Sequence, residues 1–281
     1  MKVIRETCVA GKTILRAIRT VTSGNRKNEK RASKKNETKA AVMKNNQRIA
    51  ERKLTMLMNH NFRANDLHVT VTYNQEPSKE EAKNILTNFL RNLRNHCKRN
   101  NIEFKYIHVT EYENKRIHHH IVMSNLDLKV INKYWNAGFV KVSMLDNSGN
   151  YKKLAEYLIK ETSKTFRNPE NPNKQRYSCS RTIVAPEIKK ERVHERELYR
   201  DIKPLKGYYV DEDSIRRYEH AITKAECLEY IMVSTEEEPR LKRWSKGQRC
   251  QLKYYPVSKA YEEEQMQIKW SAKKNYNQSI I

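Results

Sequence analysis

The sequence predicts an α+β fold, with a central antiparallel sheet and helices packed on one of its faces. Between residues 66 and 164, short segments that alternate apolar and polar residues are separated by segments with apolar residues at helical spacing. The order of these elements is β-α-β-β-α-β-α. Because successive strands are joined by a hairpin or by one crossing helix, antiparallel pairing is expected.

The first strand and first helix of this region are the most clearly marked. Residues 67–73 alternate apolar and polar residues and are rich in β-branched side chains, which favours a strand. Ser78 and Glu81 form a capping-box pattern, which predicts that a helix begins there. Apolar residues then recur at helical spacing from Ile85 to Cys97, so this helix is expected to bury one face.

The rest of the region predicts three strands and two helices. A hairpin comes first, with strands at residues 104–111 and 117–123 on either side of a turn. It is followed by a short helix, a strand and a longer helix, at residues 126–135, 139–145 and 150–165.

Two segments flank this central domain, which we place at residues 61–186. Residues 1–60 form a basic N-terminal segment, in which a hairpin bent around Gly11 precedes an arm that passes into a helix. The arm and helix start, residues 26–53, hold eleven Lys or Arg residues and three Glu residues. This segment is expected to contact phosphates, although a solvated charge run has the same composition. Residues 187–281 form a C-terminal extension with no recognisable chemistry.

The charge of the chain points to a nucleic-acid partner. Lys and Arg number 57 and Asp and Glu 33, which gives a net charge of +24 and a pI near 9.8. Some membrane-surface proteins are also basic, but no apolar run approaches the roughly 18 residues of a membrane span. No signal-peptide core follows the N-terminus, so a cytoplasmic protein without a membrane partner is expected. No phosphate-loop motif indicates ATP-driven chemistry.

Three consecutive histidines on a predicted strand form a candidate metal site. Residues two apart on a strand face the same side, so His118 and His120 point one way and His119 the other. A carboxylate from the preceding strand or turn would complete the site, and Glu111 and Glu113 are the candidates. Such a donor set suits Mn²⁺ or Mg²⁺ in a catalytic role. The alternative is that the histidines are an ordinary solvated sheet surface.

A tyrosine on the last predicted helix is a candidate nucleophile. Tyr157 and Lys160 are three residues apart and therefore share a helix face, and Lys153 and Lys164 lie along the same general side. A phenol beside an ammonium group can attack phosphate if it is helped to ionise. The alternative is an ordinary exposed tyrosine.

In this order, the residues resemble the three motifs of the HUH (His-hydrophobic-His) endonucleases. The resemblance rests on the strand that ends at Tyr73, the paired histidines and the Tyr157-x-x-Lys160 helix. His119 departs from the pattern, since the central position is usually hydrophobic. The chain is similar to the rolling-circle replication initiators of plasmids, integrated elements and single-stranded DNA phages. The similarity covers residues 45–186 and includes the segments Asn61-Phe62, Trp135-Asn136-Ala137-Gly138 and Arg176-Tyr177-Ser178-Cys179-Ser180-Arg181.

This resemblance implies a fold and a reaction. The fold would be the RRM-like or ferredoxin-like palm of these enzymes, with residues 61–186 as the endonuclease domain. A divalent ion, Mn²⁺ or Mg²⁺, would be held by His118, His120 and Glu111. Tyr157 would attack the DNA and leave a 5′-phosphotyrosine and a 3′-hydroxyl, while Lys160 would favour the phenolate or balance phosphate charge.

The resemblance also implies the partners. The substrate would be single-stranded origin DNA, folded as a hairpin and contacted by basic side chains. A host replication helicase or polymerase would act after the cut. The candidate DNA-binding residues are Lys153, Lys164, Arg176 and Arg181.

Two alternatives share parts of this pattern. An HUH transposase or transfer relaxase would use the same chemistry, but relaxases usually carry the tyrosine before the histidines, whereas Tyr157 follows them. A non-catalytic nucleic-acid-binding module would use only the sheet and the basic helix. A covalent protein–DNA adduct distinguishes the enzymes from the binding module.

Overall fold

A computed structural model describes residues 2–21, 40–112, 116–168, 170, 175–220 and 224–236, except for the side chain of Lys164. The strands are β1 Lys2–Ala10, β2 Thr13–Val21, β3 Leu67–Thr72, β4 Tyr106–Glu111, β5 His118–Met123, β6 Val140–Met144, β7 Ser178–Cys179, β8 Ile188–Val193, β9 Tyr208–Glu219 and β10 Glu226–Ser234. The α-helices are α1 Ala40–Asn61, α2 Lys79–Arg99, α3 Leu128–Tyr134, α4 Lys152–Glu161 and α5 Ser163–Arg167. A 3₁₀ helix spans Glu195–Leu198.

The α+β fold class is confirmed, because the strands form two antiparallel five-stranded sheets with helices packed against them. The central sheet has the order β6-β3-β5-β4-β7 and contains the predicted β4–β5 hairpin. The capping box at the start of α2 is also present. Ser78 Oγ accepts a hydrogen bond from the Glu81 amide at 3.2 Å, and the Glu81 carboxylate accepts one from the Ser78 amide at 2.9 Å.

The prediction that the helices lie on one face of the central sheet is wrong, because helices cover both faces. On one face, α2 and α3 bury an apolar core that includes Val69, Phe89 and Ile121. On the other face, α1 and α4 pack against β4 and β5 in a second core that includes Met58, Val109 and Leu158. The strands therefore direct apolar side chains both ways, and polar positions on the second face mark the candidate site.

The predicted helix at residues 150–165 is two helices. α4 ends at Glu161, and α5 begins at Ser163 after Thr162. The Thr162 hydroxyl donates to the Leu158 carbonyl at 3.1 Å. Such a local side-chain bond competes with the regular helical pattern and accompanies the break here.

The second sheet joins the two ends of the chain. Its order is β8-β1-β2-β10-β9, so the predicted N-terminal hairpin lies between strands from the C-terminal part. Gly11 forms the hairpin turn with φ +57°, and a Cβ there would lie 2.1 Å from the Asn59 carbonyl oxygen. Glycine therefore allows the turn to pack directly on the end of α1.

The basic segment predicted at residues 26–53 is divided by the structure. Residues 40–53 belong to α1, and residues 22–39 lie outside the described residues. Within α1, Arg52 forms ion pairs with Glu229 at 3.4 Å and Glu6 at 3.8 Å, so part of this positive charge is used between α1 and the second sheet. No helix in the described part of the chain is long and apolar enough to cross a membrane.

We predict that Asn59→Ala destabilises the protein by about 2–4 kcal/mol. Asn59 is buried, donates to Thr13 Oγ1 at 2.9 Å and accepts from the Tyr151 amide at 2.9 Å, so it connects α1 to the hairpin and to the start of α4. Its loss leaves two buried polar groups without this partner. Urea unfolding measures the cost, and exposed Asn46 on the same helix gives the matched Asn46→Ala control. Equal urea midpoints for the two variants would contradict the prediction.

Candidate active site

The three consecutive histidines alternate across β5 as expected for a strand. His119 is fully buried on the face covered by α2 and α3, with its ring 6.2 Å from that of Trp135. His118 and His120 therefore lie on the opposite face, which α4 covers. The two rings are 5.0 Å apart between centroids, so strand parity brings this pair together.

His119 occupies a normally apolar position because both of its ring nitrogens have buried partners. Its Nε2 lies 2.7 Å from the Tyr73 hydroxyl, and its Nδ1 lies 2.8 Å from Thr110 Oγ1. The Tyr73 hydroxyl donates to the Ala82 carbonyl at 3.1 Å, so it accepts from His119 and the Nε2 carries the proton. Burial lowers the pKa of His119 well below its usual range, which keeps the ring neutral.

Glu111, His118 and Glu161 form a group that can hold a metal ion. One ligand atom from each lies within 4.8 Å of the others. Glu111 and His118 are directly opposite each other on β4 and β5, while Glu161 comes from the end of α4. Glu161 was not among the ligands predicted from the sequence, although it lies four residues after Tyr157 and therefore on the same side of the helix.

The protonation of His118 supports a cation at this group. Its Nδ1 lies 2.9 Å from the Arg116 carbonyl oxygen, which can only accept, so Nδ1 carries a proton. In the neutral ring, Nε2 then presents a lone pair, and it lies 3.4 Å from Glu111 Oε2. A lone pair and a carboxylate oxygen repel each other unless a proton or a metal ion lies between them. The carbonyl thus orients the imidazole in the way that hydrogen-bond partners commonly orient metal-binding histidines.

His120 connects this group to the candidate nucleophile. Its Nε2 lies 3.5 Å from the Tyr157 hydroxyl, and its Nδ1 lies 3.1 Å from Thr70 Oγ1 and 3.3 Å from His68 Nε2. The His68 ring stacks on His120, and burial followed by the Lys141 charge lowers the pKa of His68. The Nδ1 partners direct Nε2 towards Tyr157, whose side chain is partly exposed beside the His/Glu group.

The other predicted site residues are more dispersed. Lys160 is exposed on α4, and Lys153 forms an ion pair with Asp213 at 3.0 Å. The Arg176 guanidinium lies 4.6 Å from the centre of the Phe166 ring, and Arg181 is exposed. The Lys164 side chain and Glu113 lie outside the described residues, so the choice between Glu111 and Glu113 stays a prediction.

Comparison with known proteins bears on this part of the chain. Residues 66–166 match the model of a family of replication-associated proteins, described as the ORF2 type. This segment is similar to replication-associated proteins. It begins one residue before β3 and ends within α5, so it contains the His/Glu group and Tyr157. No curated protein and no solved structure matches the chain.

We predict that Glu111→Gln weakens Mn²⁺ binding by at least about tenfold, because even outer-shell partners of a metal affect affinity by that factor. Glu161→Gln is expected to weaken it as well, and Glu113→Gln to have little effect. Calorimetric titration of the full chain with Mn²⁺ measures the affinities. Glu103→Gln is the charge-matched control, because Glu103 is exposed and pairs with Lys105. A larger loss at position 113 than at position 111 would reverse the ligand assignment.

Proposed function

We propose that this protein nicks and rejoins one strand of DNA through a tyrosine intermediate and thereby starts rolling-circle replication. The observation that carries the proposal is the Tyr157 hydroxyl 3.5 Å from His120 Nε2, beside the Glu111–His118–Glu161 group. The match of this segment to a replication-associated family and the net charge of +24 support DNA as the substrate.

We assign the metal site to Glu111, His118 and His120, with Glu161 as a further donor. Two imidazoles with carboxylates are a donor set suited to Mn²⁺ or Mg²⁺. Such an ion would withdraw electron density from the scissile phosphate and balance the charge that develops on its oxygens. Thr70 and the Arg116 carbonyl fix the two imidazole rings, so the nitrogens facing the site are oriented in advance.

The covalent step uses the Tyr157 oxygen. The phenol loses its proton to solvent, which reaches this partly exposed side chain, and the resulting phenolate attacks the phosphorus. The new bond joins the tyrosine oxygen to phosphorus, and the bond to the 3′-oxygen breaks. That oxygen takes a proton from water and becomes a free 3′-hydroxyl that can prime synthesis. One phosphoester replaces another, so a later 3′-hydroxyl can reverse the step without ATP.

Basic side chains around the site would hold the rest of the strand. Lys160, one turn after Tyr157, favours the phenolate and balances phosphate charge. Lys153, Lys164, Arg176 and Arg181 would contact the backbone of a single-stranded origin. At Lys153 and Arg176, the DNA would compete with Asp213 and with the Phe166 ring for the side chain.

We predict that Tyr157→Phe abolishes the covalent protein–DNA adduct while preserving the fold. The change removes one hydroxyl from a partly exposed side chain, so little packing is lost. The parent protein is incubated with Mn²⁺ and a pool of single-stranded oligonucleotides that are randomised in sequence and labelled at the 3′ end. Denaturing electrophoresis then detects label bound to protein. The control is Tyr209→Phe, since Tyr209 is similarly exposed on β9. An adduct at the parent level in Tyr157→Phe would exclude this nucleophile, and no adduct from the parent would favour a binding module.

We also predict a single-tyrosine enzyme that joins strands as well as cutting them. The positions one helical turn from Tyr157 on α4 are Lys153, Leu154, Lys160 and Glu161, so no second tyrosine lies beside it. When the parent receives a cleavable oligonucleotide and a second strand with a free 3′-hydroxyl, a recombinant strand should form, and Tyr157→Phe should make none. Mass spectrometry that finds 5′-phosphate adducts on two tyrosines of one chain would contradict the single-tyrosine mechanism.

A further inference from the structure

Phe139 is an apolar side chain that the fold holds in solvent. It is 76 % exposed, the highest value among the large apolar residues that the structure describes. Its backbone is nevertheless fixed, since the Thr72 amide donates to the Phe139 carbonyl at 3.0 Å and the Trp135 indole donates to the Thr72 carbonyl at 3.1 Å. A Cβ on Gly138 would lie 2.2 Å from the Thr72 carbonyl oxygen, so glycine permits this close approach. A rigid backbone thus presents an uncovered aromatic ring.

This ring lies on the same face of the central sheet as the candidate active site. Val140 and Val142 pack against the core on the α2 side, so the alternating positions Phe139 and Lys141 face the other way. The cross-strand register continues the row from Phe139 through Thr72 and His118 to Glu111. Phe139 and the His/Glu group therefore belong to one row of side chains.

The separation along this row suits one continuous strand of nucleic acid. Neighbouring strands lie about 4.8 Å apart, so Phe139 on the β6 side is roughly 10 Å from His118 on β5. A DNA strand with its scissile phosphate at the His/Glu group can place a nearby base over the ring.

A cation accompanies the aromatic ring. Lys141 is exposed on the same face, and its row runs through Thr70 to His120. An aromatic platform beside a positive charge is the combination that single-stranded nucleic-acid binders use, with the ring stacking on a base and the cation close to the phosphate. An apolar peptide would use the ring but would gain nothing from Lys141.

We propose that Phe139 is the stacking platform for an unpaired base next to the cleaved phosphate, and that Lys141 contacts the adjoining backbone of this single-stranded DNA. The inference rests on the proposed function and assigns the first base-binding position on the sheet. Stacking on a fixed ring orients the strand, so the scissile phosphate stays in line with Tyr157. The subsite tolerates any base, because every base has a face that can stack.

The test measures binding without cleavage, in the full chain carrying Tyr157→Phe. Fluorescence anisotropy follows a fluorescein-labelled single-stranded oligonucleotide of mixed sequence over a range of salt concentrations. Phe139→Ala is expected to weaken binding by roughly five- to a hundredfold at every salt concentration, and Phe139→Trp to restore it. Lys141→Ala is expected to reduce the slope of log affinity against log salt by about 0.7, whereas Phe139→Ala leaves that slope unchanged.

Met144→Ala is the matched control. Met144 is 69 % exposed at the other end of β6, and the strand alternation places it on the opposite face. Unchanged DNA affinity in Phe139→Ala, or an equal loss in Met144→Ala, would overturn the stacking subsite, and the unchanged affinity would leave a peptide as the occupant. If Phe139→Ala weakens binding but the parent forms no adduct, the subsite stands and the nicking proposal fails. If the parent forms the adduct and Phe139→Ala binds normally, the reverse holds.

Discussion

The placement of His119 between Tyr73 and Thr110 is the constraint on which the candidate site depends. A strand has a side-chain period of two, so a slip of one residue would exchange every side chain of β5 between the two faces. His119 resists such a slip, because each of its ring nitrogens has a buried partner on the α2 side. With His119 fixed there, His118 and His120 must face α4. The histidine at a normally apolar position thus works as part of the core.

The same reasoning extends to α4, which carries the other half of the site. Ala155, Leu158 and Ile159 are buried against α1 and the central sheet, so Tyr157 and Glu161 are turned towards β5. α1 holds α4 from behind through Asn59, whose side chain also reaches the N-terminal hairpin. The second sheet therefore supports the helix that carries the candidate nucleophile, although none of its described strands contributes a residue to the His/Glu group.

Local patterns in the sequence predicted most of the central sheet and part of the site. The alternation of β5, the capping box at Ser78 and the helical face of Tyr157 depend on neighbours within a few residues, so they can be read directly. The pairing of β1 with β8 joins positions such as Arg5 and Glu191, and no local period encodes such a contact. Glu161 was missed for a related reason, because its distance from Glu111 depends on how α4 packs on the sheet.

The charges of the site explain why a cation matters for binding as well as for reactivity. Glu111 and Glu161 converge on His118, and an incoming phosphodiester would bring a further negative charge to two carboxylates. Little water screens these charges, since the Glu111 side chain is only 7 % exposed, so their repulsion is stronger than on an open surface. A divalent ion reverses the sign of the local field. Metal and DNA should therefore strengthen each other's binding at this site, since each favours the same arrangement of charge.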